Sequence, residues 1–308
     1  IEGTASIRQL DIEDLAGDPR IPHTRIMIDA KVQGVVTEEI TAELSGDMRT
    51  AVSDAFSGRI GAMAAYRGGV LTVRDARLDS AGLEALAEAE IAGETMTFRV
   101  PKAAATGEGL RVLLAMVPMG AMRLVPRPDA RLAITDFHIG ALPSGMLGVL
   151  SGDVTLDGID LALADGTAAF PAMTGRISVK DNAFQIQALK SEGFEIRGEV
   201  RPDLDAMTAA VKLSGEAELS REKLAMFFPL DSVKRLSGGV TLKRLSGVFG
   251  SGRPMPPEDL VAEASLRNIS AAIILPGRAA PLEIEQLRGG VAFREGAVHL
   301  EGLKAEGI

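Results

Sequence analysis

Residues able to carry out acid–base or metal chemistry are few in this chain, and they are far apart. His23, His138 and His299 are the only imidazole side chains among 308 residues, and there is no cysteine. The chain therefore has no disulfide, no thiolate zinc ligand and no thiol nucleophile. His23 and His138 are 115 residues apart, close to the period of the internal repeats, so the two histidines could in principle flank one metal ion. Surface or strand positions are the favoured interpretation of all three histidines.

Two other segments have residue types that occur in ligand sites. The carboxylates of Leu10–Asp14 and Asp18 do not have the spacing of a calcium loop. Gly247–Gly252 lacks the lysine and the strand–helix context of a phosphate-binding loop. No serine lies in a nucleophile motif with a histidine and an aspartate as partners. We therefore expect no catalytic residue, no metal and no cofactor, and a protein that is not an enzyme; an unrecognised hydrolase is the weaker alternative.

The overall composition excludes further classes of function. There are 33 Lys and Arg against 42 Asp and Glu, so the net charge is −9, and aromatic residues make up only 4% of the chain. An acidic chain with few aromatic rings does not suit binding to nucleic acid. The longest uncharged stretch, residues 137–152, is interrupted by glycine and proline and is not a membrane span. The chain begins with Ile1, which suggests a processed protein or a piece of a longer one, with any membrane anchor outside these residues.

Most of the chain alternates between apolar and polar residues with a period of two. Ile26 and Ile28 alternate with Arg25, Met27 and Asp29. Such alternation predicts β-strands with one apolar and one solvated face. Turn residues separate the strands every 8 to 14 residues, about the spacing of an antiparallel meander. The apolar position slips by one after Ala188 and again after Gly302, which predicts a β-bulge at both places.

Helical periodicity is confined to short segments. Glu108–Val117 and Ser220–Phe228 are the best candidates; a proline ends each, and Ser220 suits an N-cap. Leu83–Ile91 is a possible third helix.

Internal repeats are visible at a period of about 110 residues. Gly175–Phe194 aligns without a gap on Gly289–Ile308, and Tyr66–Val73 matches Phe293–Leu300 more weakly. The tripeptide Leu-Ser-Gly occurs five times, beginning at residues 44, 150, 213, 236 and 245. We interpret the chain as three degenerate β-repeat units, 1–108, 109–220 and a truncated 221–308, expected to form one continuous elongated sheet.

About twenty strands with one apolar face each must cover that face or leave it open. Hydrophobic residues make up 46% of the chain, yet they are mostly Val, Ile, Leu, Ala and Met. This favours a mostly β fold: an elongated, curved antiparallel sheet, shaped as a groove or taco-like trough, with a few short helices. The alternative is a β-sandwich or solenoid whose apolar face is filled by its own side chains. The residues predicted to line the groove are Ile26, Ile28, Ile177, Val179, Phe184, Ile186, Val211, Leu213, Val240, Leu242, Val291, Phe293, Val298 and Leu300.

These patterns resemble those of a known family. The element Gly-x-Val-x-Phe-x-x-x-x-Val-x-Leu-x-x-Leu-x-Ala-x-Gly at residues 289–307, the recurrent Leu-Ser-Gly and the Leu-Ala-Met segments at 114–116 and 224–226 resemble the AsmA-like superfamily, especially its YhdP-type and TamB-type members. The resemblance covers most of the chain, and its motifs are patterns of alternation and glycine without a catalytic signature.

The resemblance implies bridge-like lipid transfer. The chain would be an internal periplasmic segment of a protein anchored in the inner membrane, offering a hydrophobic groove to phospholipid acyl chains on the way to the outer membrane. Inner- and outer-membrane proteins would be partners at the ends of the full-length chain, and outer-membrane biogenesis would be the process served. The second hypothesis is a cell-envelope scaffold or assembly protein that binds other β-proteins by strand addition.

Overall fold

The computed structural model describes residues 2–11, 24–35, 39–50, 57–93, 95–115, 122–141, 147–163, 167–203, 206–226, 230–250, 257–275 and 280–307. The described residues form seventeen strands and two short helices. The strands are β1 (Glu2–Asp11), β2 (Thr24–Val35), β3 (Glu39–Thr50), β4 (Gly58–Arg67), β5 (Val70–Ser80), β6 (Leu83–Ala92), β7 (Thr95–Thr106), β8 (Met122–Ala141), β9 (Leu147–Leu163), β10 (Ala168–Lys180), β11 (Ala183–Ser191), β12 (Phe194–Asp203), β13 (Thr208–Ser220), β14 (Val233–Gly250), β15 (Val261–Ile273), β16 (Leu282–Arg294) and β17 (Ala297–Glu306). The helices are α1 (Gly107–Ala115) and α2 (Arg221–Ala225).

All seventeen strands belong to one antiparallel sheet. Successive strands pair with each other from β1 to β8 and again from β11 to β17. A mostly β fold built on an antiparallel sheet with few and short helices is therefore confirmed.

Contacts between residues divide the chain into two compact units. Unit 1 comprises residues 1–160 and 178–182, and unit 2 comprises residues 161–177 and 183–308. These units are defined by contacts, whereas the three repeats are defined by sequence similarity. The repeat boundaries therefore stay a prediction.

Two hairpins that lie at equivalent positions of the aligned repeat segments have the same type of turn. Gly68–Gly69 joins β4 to β5 and Glu295–Gly296 joins β16 to β17, and all four residues have positive φ angles. Two central residues with positive φ define a type I′ turn, whose twist matches that of the strands. The similarity of Tyr66–Val73 to Phe293–Leu300 thus corresponds to the same supersecondary structure in each unit.

Both predicted bulges are present. The register between β11 and β12 shifts between Ile186 and Leu189. The register between β16 and β17 shifts where Gly302 takes a φ of 57°. An extra residue bends the strand and increases its twist, and further shifts interrupt β5 in unit 1 and β15 in unit 2. The sheet is therefore curved within each unit.

Gly238 shows how tightly strands approach each other at a bulge. Its φ is 142°, and a Cβ placed on it would lie 2.8 Å from the Cα of Ile269 on the bulged strand β15. A side chain at this position would overlap the neighbouring backbone and would also require a backbone conformation that only glycine adopts readily.

Replacing Gly238 with alanine is expected to lower the free energy of unfolding by about 2–4 kcal/mol. The neighbouring Gly239 is the control, because a Cβ there would meet nothing closer than the Arg267 side chain at 3.5 Å. Gly239→Ala should change stability by less than about 0.5 kcal/mol. Urea denaturation followed by circular dichroism measures both values, and equal losses would contradict this account of the bulge.

The prediction of a helix at Leu83–Ile91 is wrong, because this segment is the strand β6. Its leucine, alanine and glutamate residues are good helix formers. However, Leu83 pairs with Ala105 of β7 and with Ser80 of β5, so two neighbouring strands satisfy its backbone. Tertiary pairing therefore overrides the local propensity.

The other two helices lie where they were predicted. α1 begins at Gly107, and its Leu110 and Leu114 are buried against Ala105, Ala130 and Ile159 in unit 1. α2 is capped by Ser220, whose hydroxyl accepts a hydrogen bond of 3.1 Å from the amide of Lys223. Neither helix is long and apolar enough to cross a membrane, and the search covered only the described residues.

Candidate functional site: the aliphatic faces of the two units

The strand register of unit 2 places apolar side chains on a single face of the sheet. Phe184 lies opposite Val200, which in turn lies opposite Val211. Residues directly opposite each other in an antiparallel sheet project to the same side, so these three side chains share a face. We call this side the aliphatic face and the opposite side the polar face.

The same register continues to the last strand. Leu213 lies opposite Leu245, Leu242 opposite Ala264, and Val291 opposite Leu300. Ten of the residues predicted to line a groove therefore lie on the aliphatic face of unit 2: Phe184, Ile186, Val211, Leu213, Val240, Leu242, Val291, Phe293, Val298 and Leu300.

The remaining predicted lining residues lie in β10 and β2. Ile177 is half-buried, whereas Val179 is buried with 3% of its surface exposed. Ile26 and Ile28 belong to β2, and their backbones pair with Met48 and Gly46. The side chains of Ile26 and Ile28 lie outside the described part of the structure.

Unit 1 has an aliphatic face of its own. Tyr66 lies opposite Leu71, Leu71 opposite Ile91, and Ile91 opposite Met96, so one row of apolar side chains crosses four strands. Three members of this row are large and well exposed: Tyr66 at 48%, Ile91 at 37% and Met96 at 45%. The row crosses the strands close to the β4–β5 turn, and it continues from Tyr66 to Ile40 of β3.

Sequence reasoning missed much of this unit and two strands of the other, β12 and β15. Ile40 and Leu44 of β3 alternate with Thr41 and Glu43, and the residues of β12 from Phe194 to Arg201 alternate perfectly. The period of two was therefore available as a signal in both strands. In β6 nearly the same period is present, although the sequence analysis gives this segment as a possible helix.

Few of the apolar side chains are covered. Of the described hydrophobic residues only fourteen are buried, and eight of these are alanines. A two-layer sandwich would bury most of the larger residues on its inner faces. Val298 and Leu300 instead expose 64% and 63% of their surfaces, and the other eight groove residues of unit 2 are half-buried. The described residues therefore provide no second layer over the aliphatic face.

The polar face is joined by ion pairs between strands. In unit 2 Arg235 contacts Glu283 at 2.7 Å and Arg267 contacts Glu216 at 3.0 Å. In unit 1 Arg59 contacts Asp79 at 3.2 Å. Each exposed pair contributes at most about 1 kcal/mol, but together they keep this side of the sheet charged and solvated. The two sides of the sheet therefore differ sharply in polarity.

One carboxylate of the polar face is shared by two cations. Glu195 accepts hydrogen bonds from Lys190 and Arg197, and these bonds hold the pKa of its carboxyl below the usual value for glutamate. A pKa that folding lowers stabilises the folded state above the ordinary glutamate pKa, and this contribution is lost as the pH falls through the lowered value.

Glu195→Gln should therefore destabilise the protein at pH 7, and the difference from the wild type should shrink by pH 3. Urea midpoints at the two pH values measure the change. A difference of the same size at both pH values would show that the charge of Glu195 is not responsible.

The described cavities of unit 1 lie on its polar face, on the side of the sheet opposite the aliphatic face. The largest described, of about 640 Å³, lies over β5 to β9 and is lined by Arg74, Glu88, Glu90, Arg99 and His138 among others. A small-molecule site is usually a largely apolar cavity with a few converging polar groups. This cavity combines charged side chains with apolar ones such as Val149, whereas the aliphatic face is a broad surface without a discrete pocket among the described ones.

The residues first considered for chemistry do not converge. His138 lies on the polar face opposite Arg99, and His299 lies on the polar face opposite Ala292. His23 and residues 12–18 of the acidic segment lie outside the described residues. Where the structure is described, no three His, Asp or Glu side chains come together as a metal ion would require.

Comparison of the chain with protein-family models, with curated proteins and with solved structures found no match.

Proposed function

We propose that the aliphatic faces bind the acyl chains of phospholipids and that the protein is a segment of a bridge-like lipid-transfer protein. One observation carries the proposal: aliphatic side chains that are half-buried from β11 to β16 and exposed in β17 lie in register across these strands, and no second layer of described residues covers them. Large exposed apolar surfaces in soluble proteins mark binding sites for apolar partners.

The energetics of an acyl chain suit such a surface. Each CH₂ group removed from water contributes about 0.8 kcal/mol, so a sixteen-carbon chain would gain roughly 12 kcal/mol if it were fully covered. A bilayer offers a similar gain, so an acyl chain would move from a membrane onto the sheet at little net cost. The charged headgroup would stay in water, because burying it unpaired is expensive.

The uniformity of the face favours movement along it over tight binding at one point. Val, Ile and Leu recur from strand to strand with no charged residue between them in the register. Neighbouring positions therefore offer an acyl chain nearly equal free energies. A tight receptor would need distinctive polar contacts instead.

The cellular setting of this proposal depends on the resemblance to the AsmA-like superfamily. A periplasmic location, an inner-membrane anchor outside these residues and transfer toward the outer membrane are parts of the same proposal. Membrane proteins at the two ends of the full-length chain would be its partners.

Site-specific photocrosslinking tests the proposal directly. A photoreactive amino acid at Val211 in unit 2 or at Leu44 in unit 1 should capture phospholipid, because both side chains lie on aliphatic faces. The same amino acid at the adjacent Lys212 or Glu43 should not, because these exposed side chains lie on the polar faces. Mass spectrometry of the adducts gives the result, and equal labelling of both faces, or none, would overturn the proposal.

A second candidate is a scaffold that binds other proteins by strand addition, and β17 is the strand at which this is tested. All ten residues of this strand are exposed. Lipid that copurifies with the chain, measured by mass spectrometry, distinguishes the two functions. A lipid-free protein that associates through β17 would favour the scaffold.

A further inference from the structure

The largest described cavity of unit 1 lies on the side of the sheet that the proposed function does not use. Its volume of about 640 Å³ is of the size usual for small-molecule sites, roughly 300–1,000 Å³. Strands β5 to β9 contribute its lining, which has charged side chains of both signs, hydroxyl groups and the exposed apolar side chain of Val149. Such a lining suits a small polar ligand with an apolar part.

Two rows of residues on neighbouring strands bring opposite charges close together in this cavity. In one row Glu88 of β6 lies opposite Arg99 of β7, which lies opposite His138 of β8. In the next row Glu90 lies opposite Thr97. Glu90 and Arg99 are therefore diagonal neighbours on the same face, about 7–8 Å apart. Because both side chains are long, a single ligand can reach an anionic and a cationic group at the same time.

Arg99 is held from two sides, and one of its donors stays unused. Its guanidinium donates a hydrogen bond of 2.9 Å to Asp136, whereas the oxygen of Glu88 lies 3.7 Å away, too far for a hydrogen bond. The Nε atom of Arg99 is buried and has no hydrogen-bond partner among the described residues. A buried donor without an acceptor is unfavourable and rare in folded proteins. An anionic oxygen bound at Arg99 would supply the acceptor.

The backbone around the cavity has the irregularities that often accompany binding sites. The pairing of β5 with β6 shifts register beside Arg74, and that of β6 with β7 shifts beside Glu88. Bulges of this kind re-aim side chains and are frequent next to active sites. Asp75 and Asp136 have φ angles of 51° and 47°, a strained conformation for residues other than glycine. The strained Asp136 is also the residue that holds Arg99.

The charges of the lining cancel. Two arginines, Arg74 and Arg99, stand against two glutamates, Glu88 and Glu90. A ligand with a single charge would leave one sign without compensation, whereas a ligand with both signs would not. Glu90 is exposed and has no ion pair among the described residues, and threonine hydroxyls flank it on β5 and β7. An ammonium group would meet a carboxylate and hydroxyl oxygens at this place.

We propose that this cavity binds a small zwitterion, with its carboxylate at Arg99 and His138 and its ammonium group at Glu90. Two residues of an extended peptide span at most about 7 Å, which matches the diagonal spacing of Glu90 and Arg99. A dipeptide with free termini therefore has the required separation of charges. Its C-terminal side chain would lie toward β9 and contact Val149, so an apolar residue is favoured there.

Titration calorimetry with three related probes tests the requirement for both charges. Alanyl-leucine has both, N-acetyl-alanyl-leucine lacks the ammonium group, and alanyl-leucine amide lacks the carboxylate. Alanyl-leucine should bind about fivefold more tightly than either of the others, because each loses one ion pair. Equal affinities for all three probes, or no binding of alanyl-leucine, would overturn the proposal.

Substitutions at the two ends of the cavity assign the orientation. Glu90→Gln should weaken alanyl-leucine about fivefold and leave the acetylated probe unaffected, because only the former has an ammonium group. His138→Ala should weaken both of these probes, which have a carboxylate, and spare the amide. Glu84→Gln is the matched control, since Glu84 is exposed on the same face of β6 and lies outside the cavity lining. An equal effect of Glu84→Gln and Glu90→Gln would contradict the assignment.

This site is independent of the proposed lipid function, because the cavity and the aliphatic face lie on opposite sides of the sheet. Glu90→Gln should leave phospholipid crosslinking at Leu44 unchanged. Failure of the dipeptide to bind would therefore overturn the zwitterion site without touching the lipid proposal, and absence of lipid adducts would do the reverse.

Discussion

Replacing Leu110 with alanine is expected to lower the free energy of unfolding by about 3–5 kcal/mol, the largest loss that we predict for a single side chain. Leu110 is fully buried and lies at the centre of the cluster formed by Ala105, Leu114, Ala130 and Ile159. The surrounding alanines are short and cannot fill the space that the leucine vacates, so a cavity would remain.

The helix that carries Leu110 adds to the cost. α1 has only nine residues, and an isolated helix of this length is not stable in water. Its packing against β8 therefore holds it in place, and the loss of Leu110 would weaken the helix as well as the cluster. Urea denaturation gives the free energy, and hydrogen exchange of the α1 amides should show their protection falling with it.

Arg111→Ala is the matched control on the same helix. Arg111 is exposed and pairs with Glu108 in the first turn. Its replacement should cost less than about 0.5 kcal/mol. Equal losses for the two variants would mean that α1 contributes through its surface rather than through the buried cluster.

The fold could be predicted from the sequence where the signal lies within a single strand or turn. In β11 and β17 the apolar residues alternate except for a single slip in each strand, and that slip marks the bulge. The type I′ turn at Glu295–Gly296 also has a local signal, because positive φ angles favour glycine. These features need no knowledge of a partner strand.

The fold could not be predicted where the conformation of a segment depends on the strands that pair with it. β6 contains good helix formers, and only its pairing with β5 and β7 makes it a strand. The site where α1 packs on the sheet could not be recognised from the sequence either, because Ala105 and Ala130 are too small to stand out in a hydrophobicity pattern. The small side chains of these two alanines allow Leu110 to approach the sheet closely.

The candidate site, too, could be predicted from the sequence only in part. A period of two in Val211 and Leu213 predicts that both side chains lie on one face, and the register agrees. The period cannot say what covers that face, because a filled sandwich and an open sheet have the same alternation. That these residues are half-buried becomes visible only when the neighbouring strands are in place.

A single carboxylate in the middle of the aliphatic face is expected to abolish most lipid binding. Leu213 lies between Gly198 and Leu245 on the aliphatic face of unit 2. In Leu213→Asp an acyl chain that crosses this point would either dehydrate the carboxylate or lose contact with the sheet. Because a charge in hydrocarbon costs at least about 2 kcal/mol, we expect affinity for a fluorescent fatty acid to fall by roughly thirtyfold.

The neighbouring residue separates this effect from a general one. Ser214 lies on the polar face opposite Arg197, so Ser214→Asp adds the same charge beside a cation and away from the lipid. This variant should bind the fatty acid as the wild type does. If both variants lost binding, the added charge or the fold would be responsible, and if neither did, acyl chains would not use this face. Loss in Leu213→Asp alone, with circular dichroism unchanged, would locate the lipid on the side of the sheet where the aliphatic residues are in register.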